Sequence, residues 1–358
     1  MEQINRFDSS SFRSTSFSKS IDWLKVICAI FVVLLHSRNE DVVLDGSISS
    51  FFQVSISCVL CSVAVPLFFF LSGFLFAVGF EKGYNPSLYK RKIISRIKSL
   101  LVPYFLWNCL FLVAFSVLFH LFDGKDLLYI YHERGVYGSF WSYNGFPIDY
   151  PLWFIRDLMV QGLLFPILFY IIKKAGILGA CVLMILYLWG VKIPVDGLSI
   201  ISLFFFYMGS LSWYRNDISR LTIPETNHIR MSFKVVFLSS SLLLFVLSVL
   251  FYHQPAGKLL IKLFDITAIP VLCLASTKLV ERNRAFEINL TECTFFVFAV
   301  HALVIFCFKQ VISYVPFMIP NLLIYIGTFV FALFFSCFIY YFLKRLTPTI
   351  ISALSGYR

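Results

Sequence analysis

Charged residues are scarce in this chain. Asp, Glu, Lys and Arg make up 14% of its 358 residues, whereas hydrophobic residues make up 59% and Phe alone contributes 43. Soluble domains average about 25% charged and about 45–50% apolar residues, so a soluble fold could not bury this much apolar surface. The composition excludes a soluble enzyme, a disordered chain, a collagen and a small disulfide scaffold. It predicts an all-α, polytopic membrane helical bundle, because a membrane β-barrel would alternate apolar and polar residues and these apolar runs are continuous.

Acidic residues are the scarcer charge, and the cysteines show no secretory pattern. Lys and Arg number 30 against 19 Asp and Glu, which gives a net charge of +11. We exclude nucleic acid as a partner, because the cations lie in short segments between apolar runs, as in cytoplasmic loops. Most of the nine Cys lie inside apolar runs, and Cys58 and Cys61 share one run. Such thiols behave as small hydrophobic residues, and we expect neither a structural disulfide nor a metal site.

Ten apolar stretches are long enough to cross a bilayer, which takes about 17–25 residues each. They lie at 21–37, 54–79, 99–121, 152–172, 175–191, 198–214, 232–252, 259–280, 294–313 and 317–343. The shortest candidates include 175–191, which also contains three Gly. We therefore predict a disordered cytoplasmic tail (1–20), a ten-helix membrane domain (21–343) and a short cytoplasmic tail (344–358).

The distribution of Lys and Arg predicts the orientation. Twenty of them lie on the segments that would face the cytoplasm if the N-terminus is inside, and five lie on the opposite segments. Cytoplasmic loops of membrane proteins carry an excess of this kind. We expect both termini to be cytoplasmic, with the lipid bilayer as a constant partner.

Two predicted loops are longer than the others. The inner segment 80–98 has five cations between Lys90 and Lys98. These cations suit the phosphates of an anionic ligand, and anchoring to lipid headgroups is the alternative. The outer segment 122–151, predicted to be flexible, is rich in aromatic residues that include Trp141 and Tyr150. Such rings suit stacking on a sugar or an aromatic belt at the headgroup level.

Ionisable residues inside membrane helices are costly and are candidates for function. Here they are Lys25, His36, Arg156, Asp157, Lys262, Asp265, His301 and Lys309. Lys25 and His36 are 11 residues apart on the first helix, which places them on one face about 16 Å apart along the axis. The alternative is that Lys25 reaches the inner headgroups and His36 is interfacial. Lys262 and Asp265 are spaced to pair on one helix face.

Two more helix segments combine polar and small residues. Arg156 and Asp157 follow Trp153 near the predicted outer end of the fourth helix, where they could act in a site or form a structural pair. The Ser72-Gly73 step in the second helix lets another helix, or an extended ligand, approach the backbone closely.

The segment Asp22-Trp23-Leu24-Lys25, followed by Leu35-His36-Ser37, is similar to the Arg/Lys-x10-His motif of the membrane-bound acyltransferase family 3. Weaker similarities to this family lie at Phe69–Phe74, at Arg96 with Val102-Pro103-Tyr104, at Leu152–Leu158 and at Phe298–His301. The resemblance covers roughly residues 20–343. Two departures concern the inner cations Arg91 and Arg96, which are spaced wider than in many members, and Phe298, which stands where a late Tyr is usual.

The resemblance implies an integral membrane O-acyltransferase. It would move an acyl group, most simply acetyl, from cytoplasmic acyl-CoA to a hydroxyl of a sugar or glycan at the outer side of the bacterial plasma membrane. The predicted catalytic residues are His36 as general base, Lys25, Arg156 and Asp157. The predicted donor-binding residues are Arg91, Arg96, Lys98 and Ser72, and the predicted acceptor-binding residues are Trp153, Trp141 and Tyr150. Acetyl-CoA or another acyl-CoA is the expected co-substrate. The alternatives are a secondary transporter and a lipid or small-molecule receptor without catalysis.

Overall fold

The computed structural model describes residues 15–39, 45–215, 229–282 and 290–356. These residues are largely helical and contain an isolated β-bridge between Tyr143 and Phe146, so the predicted all-α class is confirmed. The helices are α1 (Thr15–Ser37), α2 (Ile48–Ala77), α3 (Pro86–Asp123), α4 (Tyr129–Phe140), α5 (Trp153–Trp189), α6 (Ile200–Tyr214), α7 (Ile229–Leu250), α8 (Pro255–Arg282), α9 (Leu290–Ser313), α10 (Asn321–Leu346) and α11 (Pro348–Leu354).

The described helices confirm a polytopic membrane protein, since eight of them are long and apolar enough to cross a membrane. The segment α5 has 37 residues, enough for about 55 Å of helix, which is nearly twice the hydrocarbon thickness of about 30 Å. It is not one straight helix, because a Cβ atom on Gly179 would lie only 3.3 Å from the side chain of Ile171, eight residues earlier. Its backbone leaves the helical conformation at Ala175 (φ −137°, ψ 28°), where we predicted the boundary between two spans. The apolar helix α6 has 15 residues. Ten spans result if α5 counts twice and α6 crosses, and this number stays a prediction.

Both predicted tails contain helix. Helix α1 begins at Thr15 rather than at 21, and residues 1–14 of the predicted tail lie outside the described residues. At the other end, α10 continues to Leu346 and α11 follows it. The side chains of Ile351 and Leu354 are buried, and the indole N–H of Trp107 donates to the Leu354 carbonyl at 3.0 Å. The tail predicted at 344–358 therefore contains helix that packs through two apolar residues three apart, and its cytoplasmic location stays a prediction.

The two long predicted loops are also mostly helical. Helix α3 begins at Pro86, so most of the basic segment belongs to its first part. The segment predicted to be flexible, 122–151, contains α4, the turn around the Tyr143–Phe146 bridge and a 3₁₀ turn at Tyr150–Leu152. Its helix α4 is interrupted at Gly135, which has φ +63°. A short helix and turns thus replace the predicted flexible loop, held by backbone hydrogen bonds such as that from Ile148 to Ser139 at 2.9 Å, while Tyr131 and Tyr137 stay exposed.

Helix α2 is irregular in its first half. A π-helical segment at Val54–Val59 is followed by a 3₁₀ segment at Leu60–Val63, and regular α-helix resumes at Ala64. Pro66 accounts for the 3₁₀ segment, because proline has no N–H and its ring clashes with the carbonyl four residues earlier, at Ser62. The π-helical segment lies further back in the chain than this effect reaches. At the predicted kink the helix type changes from 3₁₀ to α just before the proline.

Helices α2 and α6 cross with their backbones in contact. A Cβ atom on Gly73 would overlap the carbonyl of Phe206, and one on Gly209 would overlap the carbonyl of Phe70. The hydroxyl of Ser210 donates to the Gly73 carbonyl at 3.0 Å. Of the two uses predicted for the Ser72-Gly73 step, close approach of another helix is the one observed at Gly73.

The chain folds into two compact units. The first contains α1, α2, the part of α5 from Phe165, and α6 to α8. The second contains α3 from Tyr89, α4, α5 up to Leu164, the segment Lys192–Ser199, α9 from Glu292, α10 and α11. Lys25, His36 and Ser72 therefore belong to the first unit, and the other predicted site residues belong to the second.

Candidate active site

Helix α1 presents the predicted base and its cationic partner. The side chain of His36 is partly buried in the last turn of α1. The hydroxyl of Ser57, in the π-helical segment of α2, donates to the carbonyl of Leu34 at 2.7 Å and so holds that segment against this turn. Lys25 forms an ion pair with Asp22 at 2.9 Å, with both side chains partly exposed. The π-helical distortion thus lies beside His36, and such segments are frequent at functional sites.

Polar groups that sequence reasoning missed follow His36 directly. The guanidinium of Arg38 lies 3.3 Å from the sulfur of Cys58, and the backbone N–H of Asn39 donates to the side-chain oxygen of Gln53 at 2.9 Å. Tyr252 lies in the same cluster, where burial and a hydrogen bond to Cys58 raise its pKa to about 12. Arg38 was counted only as an outer-loop cation, and its position two residues after His36 is the signal that could have found it.

In the second unit, Arg156 and Asp157 form a buried, fully engaged pair. The Arg156 guanidinium donates to Asp157 at 3.2 Å, to the Trp141 carbonyl at 2.6 Å and to the Gly145 carbonyl at 3.3 Å. The other Asp157 oxygen accepts from the Ser199 hydroxyl at 2.7 Å and from its N–H at 3.2 Å. These contacts tie the turn that follows α4 to the start of α5.

The predicted acceptor-binding residues surround this pair or lie next to it in the chain. The Trp141 ring lies 5.7 Å from the Arg156 guanidinium in a cation–π contact and is partly buried. Trp153, the first residue of α5, is also partly buried. Tyr150 is the most open of the three, with 38% of its surface exposed. Tyr150 and Trp141 thus retain surface for a ligand.

The predicted donor-binding cations differ in their surroundings. The first part of α3, Pro86–Arg96, buries none of its residues, and Arg91 and Lys98 are exposed. Arg96 instead donates to the carbonyl of Leu158 at 3.1 Å, and its side chain runs beside Gly162. Arg91 and Lys98 are therefore open to an anionic ligand, whereas Arg96 joins α3 to α5.

The remaining intramembrane groups have separate partners. Asp265 accepts from Ser62 at 2.6 Å and from Tyr187 at 3.0 Å. Lys262 donates to the carbonyl of Leu188 at 3.2 Å, so the pairing predicted between these two residues is replaced by other contacts. His301 is completely buried, with Nδ1 2.6 Å from the carbonyl oxygen of Phe298.

Sequence reasoning also missed a buried polar group in the second unit. Asp149, Asn108 and Ser139 are each completely buried, and Tyr104 lies within electrostatic range of Asp149 and Arg156. Asn108 could have been noticed as a polar residue inside an apolar run. Asp149 gave no such signal, because it precedes α5 in a segment taken as a loop.

The described residues contain neither a metal-ligand cluster nor a disulfide. Within 15–39, 45–215, 229–282 and 290–356, no group of three or more His, Cys, Asp or Glu side chains is placed to hold a metal ion. The nine cysteines are free thiols, and the sulfurs of Cys293 and Cys337 lie 3.8 Å apart.

Comparison with known proteins identifies the family. A family model described as an acyltransferase domain matches residues 18–341. No curated protein sequence matches the chain, and no solved structure does. The family match includes every described helix that is long and apolar enough to cross a membrane, although α10 extends beyond its end. The chain therefore belongs to acyltransferase family 3 and is a membrane acyltransferase.

Proposed function

We propose that this acyltransferase moves an acetyl or other acyl group from cytoplasmic acyl-CoA to a hydroxyl of a sugar or glycan at the outer side of the bacterial plasma membrane. The observation that carries the proposal is the placement of His36 on α1. His36 lies in the last turn of a membrane helix, 11 residues after the paired Lys25, and the hydroxyl of Ser57 joins this turn to the π-helical segment of α2 through the Leu34 carbonyl.

In this reaction His36 is the general base. The acceptor O–H loses its proton to the imidazole as its oxygen attacks the thioester carbonyl. The C–S bond then breaks, and the CoA thiolate leaves and takes up a proton, so the products are an ester and CoA thiol. Imidazole suits this role because its ordinary pKa of about 6.5 lets it accept a proton at neutral pH.

The donor is held through its phosphates in this proposal. Arg91 and Lys98 are the exposed cations that would contact the phosphates. Arg96 lies on the same helix, but it donates a hydrogen bond to the Leu158 carbonyl. Arginine pairs well with phosphate through its planar fork of donors. We assign Ser72 to binding of the acyl-CoA donor. It precedes Gly73, where α2 and α6 cross closely.

The acceptor is held by aromatic surface. Trp141, Tyr150 and Trp153 are the residues assigned to it, and Tyr150 is the most exposed of them. Arg156 and Asp157 act here as positioning residues. Their hydrogen bonds to each other, to Trp141 and to Ser199 favour this role over direct contact with a developing oxyanion.

The test is release of CoA thiol by purified protein given acetyl-CoA and a sugar acceptor. General-base catalysis contributes about 10²–10⁴-fold, so His36→Gln and His36→Ala should lower kcat by about that factor. The matched control is His132→Gln, because His132 is an exposed histidine that we assign no role. A well-folded His36→Gln protein with near wild-type rate would exclude His36 as the base. The absence of acceptor-dependent CoA release would instead exclude acetyl-CoA as the donor or a sugar as the acceptor.

A further inference from the structure

A buried carboxyl group just before α5 has no role in the function proposed above. Asp149 is 0% exposed, and neither carboxyl oxygen has a hydrogen-bond partner among the described residues. Its backbone, in contrast, is held in place. The Asp149 N–H donates to the side-chain oxygen of Asn108 at 3.2 Å, and the Asn108 amide donates to the Tyr104 carbonyl at 2.8 Å. The residue is thus fixed with its polar end unsatisfied.

A second unsatisfied group belongs to the same turn. Ser139 is completely buried, and its hydroxyl also has no partner in the described part of the chain. The N–H of Ile148 donates to the Ser139 carbonyl at 2.9 Å, so Ser139 and Asp149 flank the two ends of the turn 140–148. Buried polar groups without partners are rare in folded proteins, so each requires an explanation, such as strain, a functional role or the binding of a water or ion.

We propose that Asp149 and Ser139 form a subsite that binds hydroxyl groups of the sugar acceptor. The inference rests on the proposed function, because it takes the acceptor to be a sugar. A carboxyl group and a hydroxyl group together offer donors and acceptors to neighbouring hydroxyls of one ring. Trp141, assigned to acceptor binding on other grounds, lies in the same turn.

The surroundings of Asp149 favour a neutral ligand with hydroxyl groups over a cation. Burial raises the pKa of the Asp149 carboxyl well above its ordinary value, so the group tends to hold its proton. A protonated carboxyl donates one hydrogen bond and accepts others, but it is a poor ligand for a metal ion. The nearby cation, Arg156, is already engaged by Asp157 and two carbonyl groups.

Entry to this subsite requires movement of the turn 140–148. Asn144 and Gly145 have positive φ, of 54° and 90°, and the Tyr143–Phe146 bridge is isolated. The contacts of Arg156 with the carbonyls of Trp141 and Gly145 hold the turn closed. Because Ser139 and Asp149 flank the turn, its opening would uncover both groups together.

The proposal is tested by thermal stability of the purified full-length protein with about 100 mM methyl glycosides of several common hexoses as probes, and separately with CoA. We expect at least one glycoside to raise the Tm of the wild type. The shift should be lost in Asp149→Ala and Ser139→Ala, with glycoside affinity lowered about tenfold to a hundredfold, whereas Asp149→Asn keeps a neutral donor and acceptor and should retain part of it. The CoA-induced shift should survive in all three variants.

Two controls separate this subsite from a structural role and from the proposed base. Asp126→Asn removes an exposed acid of the same segment and should keep the glycoside shift. His36→Gln should also keep the glycoside-induced rise in Tm. A His36→Gln protein with normal activity would therefore exclude His36 as the general base but would leave the proposed subsite unaffected. The subsite is overturned by any of three results: no glycoside stabilises the wild type, Asp149→Ala and Ser139→Ala keep the shift, or Asp149→Asn lowers the Tm as strongly as Asp157→Asn does.

Discussion

Single buried acids in this protein differ in how their oxygens are satisfied. Asp157 accepts from Arg156 and Ser199, and Asp265 accepts from Ser62 and Tyr187. Asp149 is buried to the same degree without a partner among the described residues. Burial without hydrogen bonds penalises the charged form of a carboxyl group, so Asp149 should make stability depend on pH.

The sign of this dependence follows from the raised pKa of Asp149. An ordinary Asp has a pKa of about 3.9 in an unfolded chain, so between that value and the folded one the native protein binds more protons. Stability from this group is fully present below about pH 4 and is lost as the pH rises through the folded pKa. We expect Asp149→Asn to be relatively more stable than wild type as pH increases, measured as apparent Tm between about pH 4.5 and pH 8. A constant difference between the two proteins over that range would contradict this assignment.

Substitution of the α3 cations should have two different effects, depending on whether the side chain is exposed or hydrogen-bonded within the protein. Arg91→Ala and Lys98→Ala remove exposed side chains, so we expect a higher KM for acyl-CoA with little change in kcat or Tm, because such contacts bind substrate and transition state alike. Arg96→Ala also breaks the bond to the Leu158 carbonyl and should lower the Tm. The measurements are steady-state kinetics and thermal unfolding of each variant.

The matched control for these variants is Lys125→Ala, which removes an exposed cation outside α3. It should leave the KM for acyl-CoA unchanged. Equal kinetics for wild type, Arg91→Ala and Lys98→Ala would mean that these cations serve only to anchor α3 at the lipid surface.

At the scale of helices, the tightest feature is the crossing of α2 and α6. Gly73 and Gly209 each face a carbonyl group of the opposite helix, and neither space admits a methyl group. Small residues at such crossings let backbones approach, which is a main source of packing between membrane helices.

We therefore expect Gly73→Ala and Gly209→Ala to destabilise the protein by about 3 kcal/mol or more, since the obstacle is rigid backbone and overpacking is costly. The measurement is Tm and yield of folded protein. Gly327→Ala is the matched control, because its Cβ would lie 3.8 Å from the Phe308 ring, an ordinary contact. That variant should be neutral or slightly more stable, by up to about 1 kcal/mol. Similar effects at all three glycines would show that the crossing is not specially tight.

For the whole molecule, the prediction concerns its orientation in the membrane. The excess of Lys and Arg predicts that 122–151 faces outward and 80–98 faces the cytoplasm. Tyr131→Cys and Tyr84→Cys place thiols at side chains that are 43% and 40% exposed. In intact cells, a membrane-impermeant maleimide should label the first variant above the background of the nine native cysteines. Tyr84→Cys should react only after permeabilisation, and the reverse pattern would invert the topology.

The sequence by itself determined the membrane class, the approximate positions of the helices and the family. Hydrophobic runs, the charges between them and the spacing of Lys25 and His36 are local properties of the chain, so they can be seen without contacts. Even the break in α5 was visible, because it falls where the apolar runs 152–172 and 175–191 meet.

Only the tertiary structure decided which polar residues are engaged and which are open. Arg91 and Arg96 look alike in sequence, and only the bond from Arg96 to Leu158 distinguishes them. The same holds for Asp149, whose backbone is held by Asn108 of α3, and for Leu354, which packs beside Trp107. These outcomes depend on contacts between residues distant in the chain, and burial and hydrogen bonding are set by those contacts rather than by local sequence.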